Sequence, residues 1–435
     1  MRPAPLQPIF SSGIIVSIRS SAGARPEESP IASTQANVNF RAASTPAQKL
    51  TVLIVVPTID VGAAEAGAVE LLRILASAGH RPIIVARGGR MEQEIADLGV
   101  EFVRLNAASK NPIVILRNAW ALARIARERH CDVIHAHGRA PAWSAYIAAR
   151  LTRVPLLTTW YKGFREQNVF KHIYNSIMVL GYRVVASSDQ LADLIKDRYG
   201  TPWERIVVVP ASVDVEKFDP AGISAERIEA VRRAWGVERD TRVILVVGRM
   251  LRRKGHHLML IAAQRLKAMG LRNFICVFED RGGTRYAEEL WDLVLATNTA
   301  DVVRMVAASE DRPAVYAAAT VAVSAATQAE GVQRAILEAQ AMGCPVLVSD
   351  LGAGPEVVLT PPAVPEERMT GLRFSSGDDA ALAASLVRLF SMPEAARRAI
   401  GLRGRAWVMA QFTPALVAER TLRLYADVAK GSKTV

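Results

Sequence analysis

The sequence is poor in cysteine. Among 435 residues only Cys131, Cys276 and Cys344 occur, far apart and without a Cys-x-x-Cys pair. That speaks against a disulfide framework or a thiolate zinc cage and favours a reducing compartment. As small apolar side chains the three suit burial. Long hydrophobic runs are also missing. No uninterrupted stretch reaches the roughly 18 apolar residues needed to span a bilayer. Gly-x-Ser-x-Gly, a Walker-type phosphate loop and His-Glu-x-x-His are absent, which removes three large enzyme classes. Acidic residues are in deficit. There are 42 Asp and Glu against 54 Lys and Arg, a formal net charge of +12, with a pI near 9.9.

Such an excess of base suggests an anionic partner: nucleotide phosphates, an acidic lipid surface or nucleic acid. The basic residues are scattered and no RNA-binding signature or zinc finger occurs, so no nucleic-acid partner is expected. Peripheral contact with an anionic membrane is the preferred reading. Residues 1–49, with "PEESPIASTQANVN", lack periodicity and read as a disordered leader. The apolar stretch Gly13–Ile18 is short, flanked by Ser and not preceded by a basic cluster. A secretory signal is therefore not expected, and a cytoplasmic protein, peripheral on the inner membrane, is.

Half of the residues are hydrophobic, enough for two cores. From Leu50 the pattern changes. "LTVLIVVP" reads as a buried parallel strand, followed by an amphipathic helix closed by Gly79. Strands and helices then alternate through "RPIIVA", "EFVRL", "DVIHAH", "PLLTT", "RVVASS" and "RIVVVP". This order predicts a doubly wound parallel α/β sheet. Turn-rich residues 211–222 break the rhythm and read as a linker. A second alternation begins at "RVILVVGRM" and runs through "FICVF", "VVRMV", "VAVSAA" and "PVLVSD". The expected organisation is thus an N-terminal domain over 50–210, a C-terminal domain over 223–410, and a final helical segment over 411–435. Tandem sheets of this kind hold ligands in the cleft at the carboxyl ends of their strands.

Two constellations sit at such strand ends. In "AEGVQRAILEAQAMGCPVLVSD", Glu330 follows a strand and Glu338 lies in the next helix. At 3.6 residues per turn the two carboxylates would share one side, about two turns apart. Gly331 permits a close turn where the helix begins, and a helix start suits a diphosphate or sugar hydroxyls. In "VVGRMLRRKGHH", Gly248 and Arg249 follow a strand, and Lys254 precedes a helix.

These segments resemble glycosyltransferase family 4, the retaining group of GT-B fold. "SAATQAEGVQRAILEAQAMGCPVLVSD" matches its Glu-x7-Glu signature in spacing and character, and Gly248-Arg249 with Lys254-Gly255 is similar to its Gly-Arg…Lys-Gly element. The resemblance implies that Glu330 contacts the transferred sugar and Glu338 the ribose, and that Arg249 and Lys254 clamp the donor diphosphate. Cations are needed there because charge grows on the leaving phosphate. "LGAGPEVV" resembles the family's Gly-rich loop plus acid, implying donor contacts from Gly352, Gly354 and Glu356. No Asp-x-Asp occurs, as a metal-using GT-A transferase would need, and neither a metal nor another cofactor is expected.

The N-terminal half should bind the acceptor. "PTIDVGAAEAGAVEL" is similar to the family's glycine-rich loop after its first strand. Only Gly62 remains of the usual pair, with Ala63 in second place, and Gly67 recovers part of the pattern. "DVIHAHGRAPAW" resembles a stretch of lipopolysaccharide-type members, implying that His137, Arg139 and Trp143 line the acceptor side. His135 and His137 alternate on a strand, but no third metal ligand is evident. "LTTWYKGFREQN" departs from the family: Tyr161, followed by Lys162 and Gly163, stands where many members have His. The expected function is retaining transfer from a nucleotide-sugar donor to a saccharide or lipid-linked cell-envelope acceptor such as a lipopolysaccharide core, by front-face attack. A catalytically impaired nucleotide-sugar-binding protein of GT-B fold and a GT-B-fold nucleotide-sugar epimerase are the alternatives.

Overall fold

The computed structural model describes residues 49–60, 62–163, 168–280 and 285–431. The expected leader over 1–49 lies, apart from Lys49, outside the described residues.

Two fully parallel sheets form the frame. The first holds seven strands: β1 (Thr51–Val55), β2 (Arg81–Ala86), β3 (Glu101–Arg104), β4 (Val133–His137), β5 (Leu156–Trp160), β6 (Arg183–Ala186) and β7 (Ile206–Val208). Their spatial order is β3-β2-β1-β4-β5-β6-β7. The second holds six: β8 (Arg242–Val246), β9 (Phe274–Asp280), β10 (Val303–Ala307), β11 (Val321–Ser324), β12 (Val346–Ser349) and β13 (Leu372–Phe374). Their order is β10-β9-β8-β11-β12-β13. Each sheet therefore reverses its winding once, between β1 and β4 and between β8 and β11. Those reversals open crevices at the strands' carboxyl ends.

The central strands are buried and mostly apolar because helices cover both faces, with polar side chains such as His135, His137 and Thr159 toward their carboxyl ends. Leu53 and Val55 point into one apolar layer of the first sheet, while Val52 and Ile54 point into the other. Helix boundaries follow local chemistry. Asn111 accepts the backbone N–H of Ile113 ahead of the Pro112–Glu128 helix, with proline in its first turn. Ser188 caps the Asp189–Tyr199 helix, which ends at a left-handed Gly200.

The last helix, Pro414–Gly431, returns to the first sheet. Its Leu424, Tyr425 and Val428 pack among Val52, Ile54 and Leu72. Tyr425 is fully buried, and its hydroxyl meets His135 Nδ1 on β4 at 2.6 Å. Truncating such a buried aromatic costs about 3–5 kcal/mol, so the first domain's core is incomplete without the end of the chain. Val213 donates its N–H to the Phe412 carbonyl at 2.9 Å, which holds the outgoing and returning crossovers side by side.

Besides short single-turn elements such as Gly354–Val357, a helix and a strand were not expected. The Val169–Ser176 helix buries only Asn175, so it carries no inward apolar stripe. β13 is a three-residue edge strand, too short to show a period.

Candidate active site

Both reversals face one cavity of about 930 Å3, lined from the first domain by Gly62, His137, Arg139, Tyr161 and Lys162, and from the second by Gly248, Arg249, Lys254, Glu330, Gly331 and Glu338. The chain reaches it at the ends of β1, β4, β5, β8 and β11.

Behind β8, Arg252–Lys254 forms one tight turn and Gly255 takes a left-handed φ of 72°. A side chain at Gly255 would put its Cβ 1.7 Å from the Ala325 carbonyl oxygen. The turn is thus pressed against the end of β11, and Lys254 is delivered to Glu330. The Lys254 ammonium donates to Glu330 Oε2 at 2.5 Å, and Arg253 pairs with the other carboxylate oxygen. Burial, with Arg253 and Arg249 nearby, lowers Lys254 to about 8 despite that carboxylate. Arg249 is exposed within the cavity. Arg253 is a cavity cation that the motif did not single out, while its neighbour Arg252 turns away to Glu289.

Glu330 lies in the loop after β11, and the helix begins only at Arg334. The two carboxylates do not share a helix face as the spacing suggested. The intervening segment is held apart from the helix by its surroundings. A Cβ on Gly331 would lie 2.6 Å from Ser187 Oγ and 2.8 Å from the Tyr161 carbonyl oxygen, so the loop abuts the first domain. Ser324 Oγ also bonds Gln333 Oε1 at 2.8 Å.

Glu338 is approached from behind by a network that sequence reasoning missed. Tyr316 donates its hydroxyl to Glu338 Oε2 at 2.7 Å, Arg312 donates to the Tyr316 oxygen at 3.0 Å, and Arg312 also pairs with Glu279. Burial raises the Tyr316 hydroxyl's pKa, and Glu338 raises it further, so it stays a donor. Burial alone would lower Arg312, but Tyr316 and Glu279 hold it up.

Gly352, Gly354 and Glu356 stand apart from this lining. Gly352, left-handed at φ 67°, lets its loop close on the backbone of Glu330: a Cβ there would lie 2.4 Å from the Glu330 carbonyl oxygen. Ala353 N–H donates to that same oxygen at 2.9 Å. Gly354 packs on the Ser349 carbonyl. Glu356 reaches the other domain, where it accepts the N–H groups of Asp189 at 2.9 Å and Gln190 at 2.7 Å.

On the first domain, Tyr161 Oη and His137 Nδ1 are 2.9 Å apart. Burial raises the tyrosine's pKa and lowers the imidazole to about 4, so both are neutral at physiological pH. Gly67 does not serve a phosphate loop. It lies in the Ala63–Ser77 helix, and a Cβ there would meet the Tyr161 ring at 2.3–2.8 Å. Gly62 starts that helix beside the cavity. His135 spends both ring nitrogens on Tyr425 and Thr159. Trp143 stacks on Tyr174 within the first core rather than in the cavity wall. Across the cleft, Glu70 is shared by Arg334 and Ser212.

The three cysteines are buried and unpaired. No helix among the described residues is long and apolar enough to cross a membrane.

Comparison with known proteins agrees with this fold. The family described as "Glycosyltransferase Family 4" matches residues 64–217, and "Glycosyl transferases group 1" matches residues 227–407. The D-inositol 3-phosphate glycosyltransferase of Kineococcus radiotolerans is 29% identical over 68% of this chain and 72% of its own. That of Nocardiopsis dassonvillei is 28% identical over 51% of this chain and 55% of its own. Among solved structures, a glycosyltransferase from Rickettsia africae superposes with a TM-score of 0.79, at 29% identity, over 88% of this chain and 99% of that one. Anabaena HepE in complex with UDP-glucose shares the fold, with a TM-score of 0.73 at 16% identity over 87% of this chain and 100% of that one.

Proposed function

The chain is a family 4-like glycosyltransferase of the GT-B fold, and on that premise we propose that it moves a sugar from a nucleotide-sugar donor to a saccharide or lipid-linked acceptor of the cell envelope, with retention of anomeric configuration. The observation that carries this reading is the convergence of Arg249, Lys254, Glu330 and Glu338, from three separate segments, on one cavity at the second sheet's reversal.

The donor diphosphate lies against Arg249 and Lys254, and the ribose hydroxyls against Glu338. Tyr316 and Arg312 hold that carboxylate in place from behind. The sugar then falls at Glu330, whose oxygens accept its hydroxyls in charge-assisted bonds. As the bond from the anomeric carbon to the phosphate oxygen breaks, negative charge grows on the leaving nucleoside diphosphate, and the two cations stabilise it. The acceptor hydroxyl enters from the side of His137 and Tyr161. It bonds to the anomeric carbon on the face the phosphate is leaving, and its proton passes to a phosphate oxygen. Because His137 and Tyr161 are both neutral, they orient the acceptor and carry no charge to it.

A lipid-borne acceptor is supported by the first domain's outer surface. Ile113 (70% exposed), Leu116 (51%) and Trp120 (64%) recur at helical spacing on the Pro112–Glu128 helix, with Arg117 and Arg124 exposed beside them. Val169, Phe170 and Ile173 are exposed on the Val169–Ser176 helix. An apolar stripe edged by cations suits an anionic lipid surface.

A thermal-shift screen against nucleoside diphosphates and nucleotide sugars tests the donor claim, since a ligand of the native state raises Tm by mass action. Glu330→Ala is expected to abolish sugar transfer while a nucleoside diphosphate still binds. Retained transfer in that variant would refute the assignment. The anomeric configuration of the product, read by NMR, tests retention.

A further inference from the structure

The helix that carries Glu338, Arg334–Ala341, begins with a cation. Arg334 and Glu338 stand four positions apart, the spacing of neighbours on one helix face, and both line the cavity. Side chains lean toward the N-terminus of their helix, which tips Glu338 over the turn that bears Arg334. An ion pair within the helix would be the default for these two. The structure shows another pairing: Arg334 crosses to the first domain and meets Glu70 on the Ala63–Ser77 helix. Ser212, in the segment joining the domains, donates its hydroxyl to the other oxygen of Glu70.

The consequence falls on Glu338. Among the second domain's described acids in the cavity wall, Glu330 holds Arg253 and Lys254, and Glu279 holds Arg312. Glu338 holds no cation. Tyr316 donates to one of its oxygens at 2.7 Å and leaves the other to the cavity. A guanidinium binds a carboxylate through both oxygens at once. Arg334 turned back onto Glu338 would therefore cover the oxygen that a ribose needs.

We propose that Glu70 is a positioning residue for the donor: by holding Arg334 across the cleft, it keeps that guanidinium off Glu338 and leaves the carboxylate open to the ribose hydroxyls. The proposal rests on the assignment of Glu338 to the ribose made above. Glu70 belongs to the first domain, so that domain acts on donor affinity through Arg334.

Titration calorimetry with UDP, ADP and GDP tests this on the unmodified full chain, Glu70→Gln, Arg334→Ala and the double variant. Glu70→Gln keeps the shape of the side chain and drops its charge. It should release Arg334 to Glu338 and weaken the tightest-binding nucleotide by about three- to tenfold, more than an exposed pair at this spacing would, because the wall is half-buried. Arg334→Ala should bind within about twofold of the unmodified chain. In the double variant the loss should disappear, since no cation is left to cover Glu338. The dideoxyribose form of the same nucleotide offers Glu338 no hydroxyl, and Glu70→Gln should bind it within about twofold of the unmodified chain. A purely structural role for Glu70 predicts the opposite: the double variant stays as weak as Glu70→Gln, and the dideoxyribose form loses as much. Either result would overturn the proposal, as would unimpaired nucleotide binding by Glu70→Gln. A chain that binds none of the three nucleotides sinks the donor reading and this role with it. One that binds them but shows no rescue loses the role of Glu70 alone.

Discussion

The Glu356 carboxylate accepts the backbone N–H of Gln190 at 2.7 Å, so an acid of the second domain caps a helix of the first. The neighbouring N–H of Asp189 completes the cap. Burial pushes Glu356 up to about 7, with the two N–H donors pulling the other way. A carboxyl whose pKa rises on folding favours the folded state below its unfolded value, near 4.5, and that contribution is lost as pH rises through about 7. Glu356→Gln cannot titrate. Its Tm is expected to fall less than that of the unmodified chain between about pH 4.5 and 7.5. Parallel Tm curves across that window would remove Glu356 as the titrating group.

Lys254 sets a second pH dependence. With its pKa lowered to about 8, the ammonium loses its proton above that pH and with it the attraction for a diphosphate. Nucleoside diphosphate affinity should therefore decline above about pH 8, and Lys254→Arg should abolish the decline because guanidinium stays charged. Titration calorimetry between pH 7 and 9.5 on both proteins reads the difference. An unchanged decline in the arginine variant would place the titrating group elsewhere.

Gly67 makes room for Tyr161. Gly67→Ala adds a methyl that overlaps the tyrosine ring, and Tyr161 is held by His137. The expected cost is about 1–3 kcal/mol of stability, as for overpacking of a tight core. Denaturant unfolding of the first domain measures it. A neutral result would mean that the ring shifts freely.

The outer apolar stripe predicts lipid binding. Trp120→Ala and Phe170→Ala each withdraw a large exposed side chain worth about 1.5–3 kcal/mol when fully buried. The double variant should sediment with anionic vesicles at least about tenfold less readily than the unmodified chain, while binding nucleotides normally. Equal sedimentation would show that this face does not meet the bilayer.

Much of the frame is legible without coordinates. Short apolar runs such as those within "LTVLIVVP" and "RVILVVGRM", alternating with helical segments, read as strands buried on both faces, and glycines such as Gly79 and Gly200 mark helix ends by their left-handed backbone. The Val169–Ser176 helix escaped because its apolar residues face outward, so no periodicity toward a core exists to be read. Gly352 and Glu356 were assigned to the donor because the motif records residue types but not directions. Gly352 supports the Glu330 backbone, and Glu356 crosses to another domain.

What the sequence determined by itself was the alternation of elements and the chemical types at the strand ends: two acids and two cations in the second half, and His and Tyr beside Lys and Arg in the first. Local propensity and apolar periodicity are short-range properties and are written into consecutive residues. Tertiary structure decided who faces whom. Glu279, Arg312, Tyr316 and Glu338 come from three segments and become one hydrogen-bonded line only when β9 and the two helices close around them. Arg253 reaches Glu330, and Lys110 comes to share a hollow with Arg253, across 77 and 143 positions of chain respectively. Such pairings depend on how the sheets wind and how the domains meet, and no spacing between neighbouring residues encodes them.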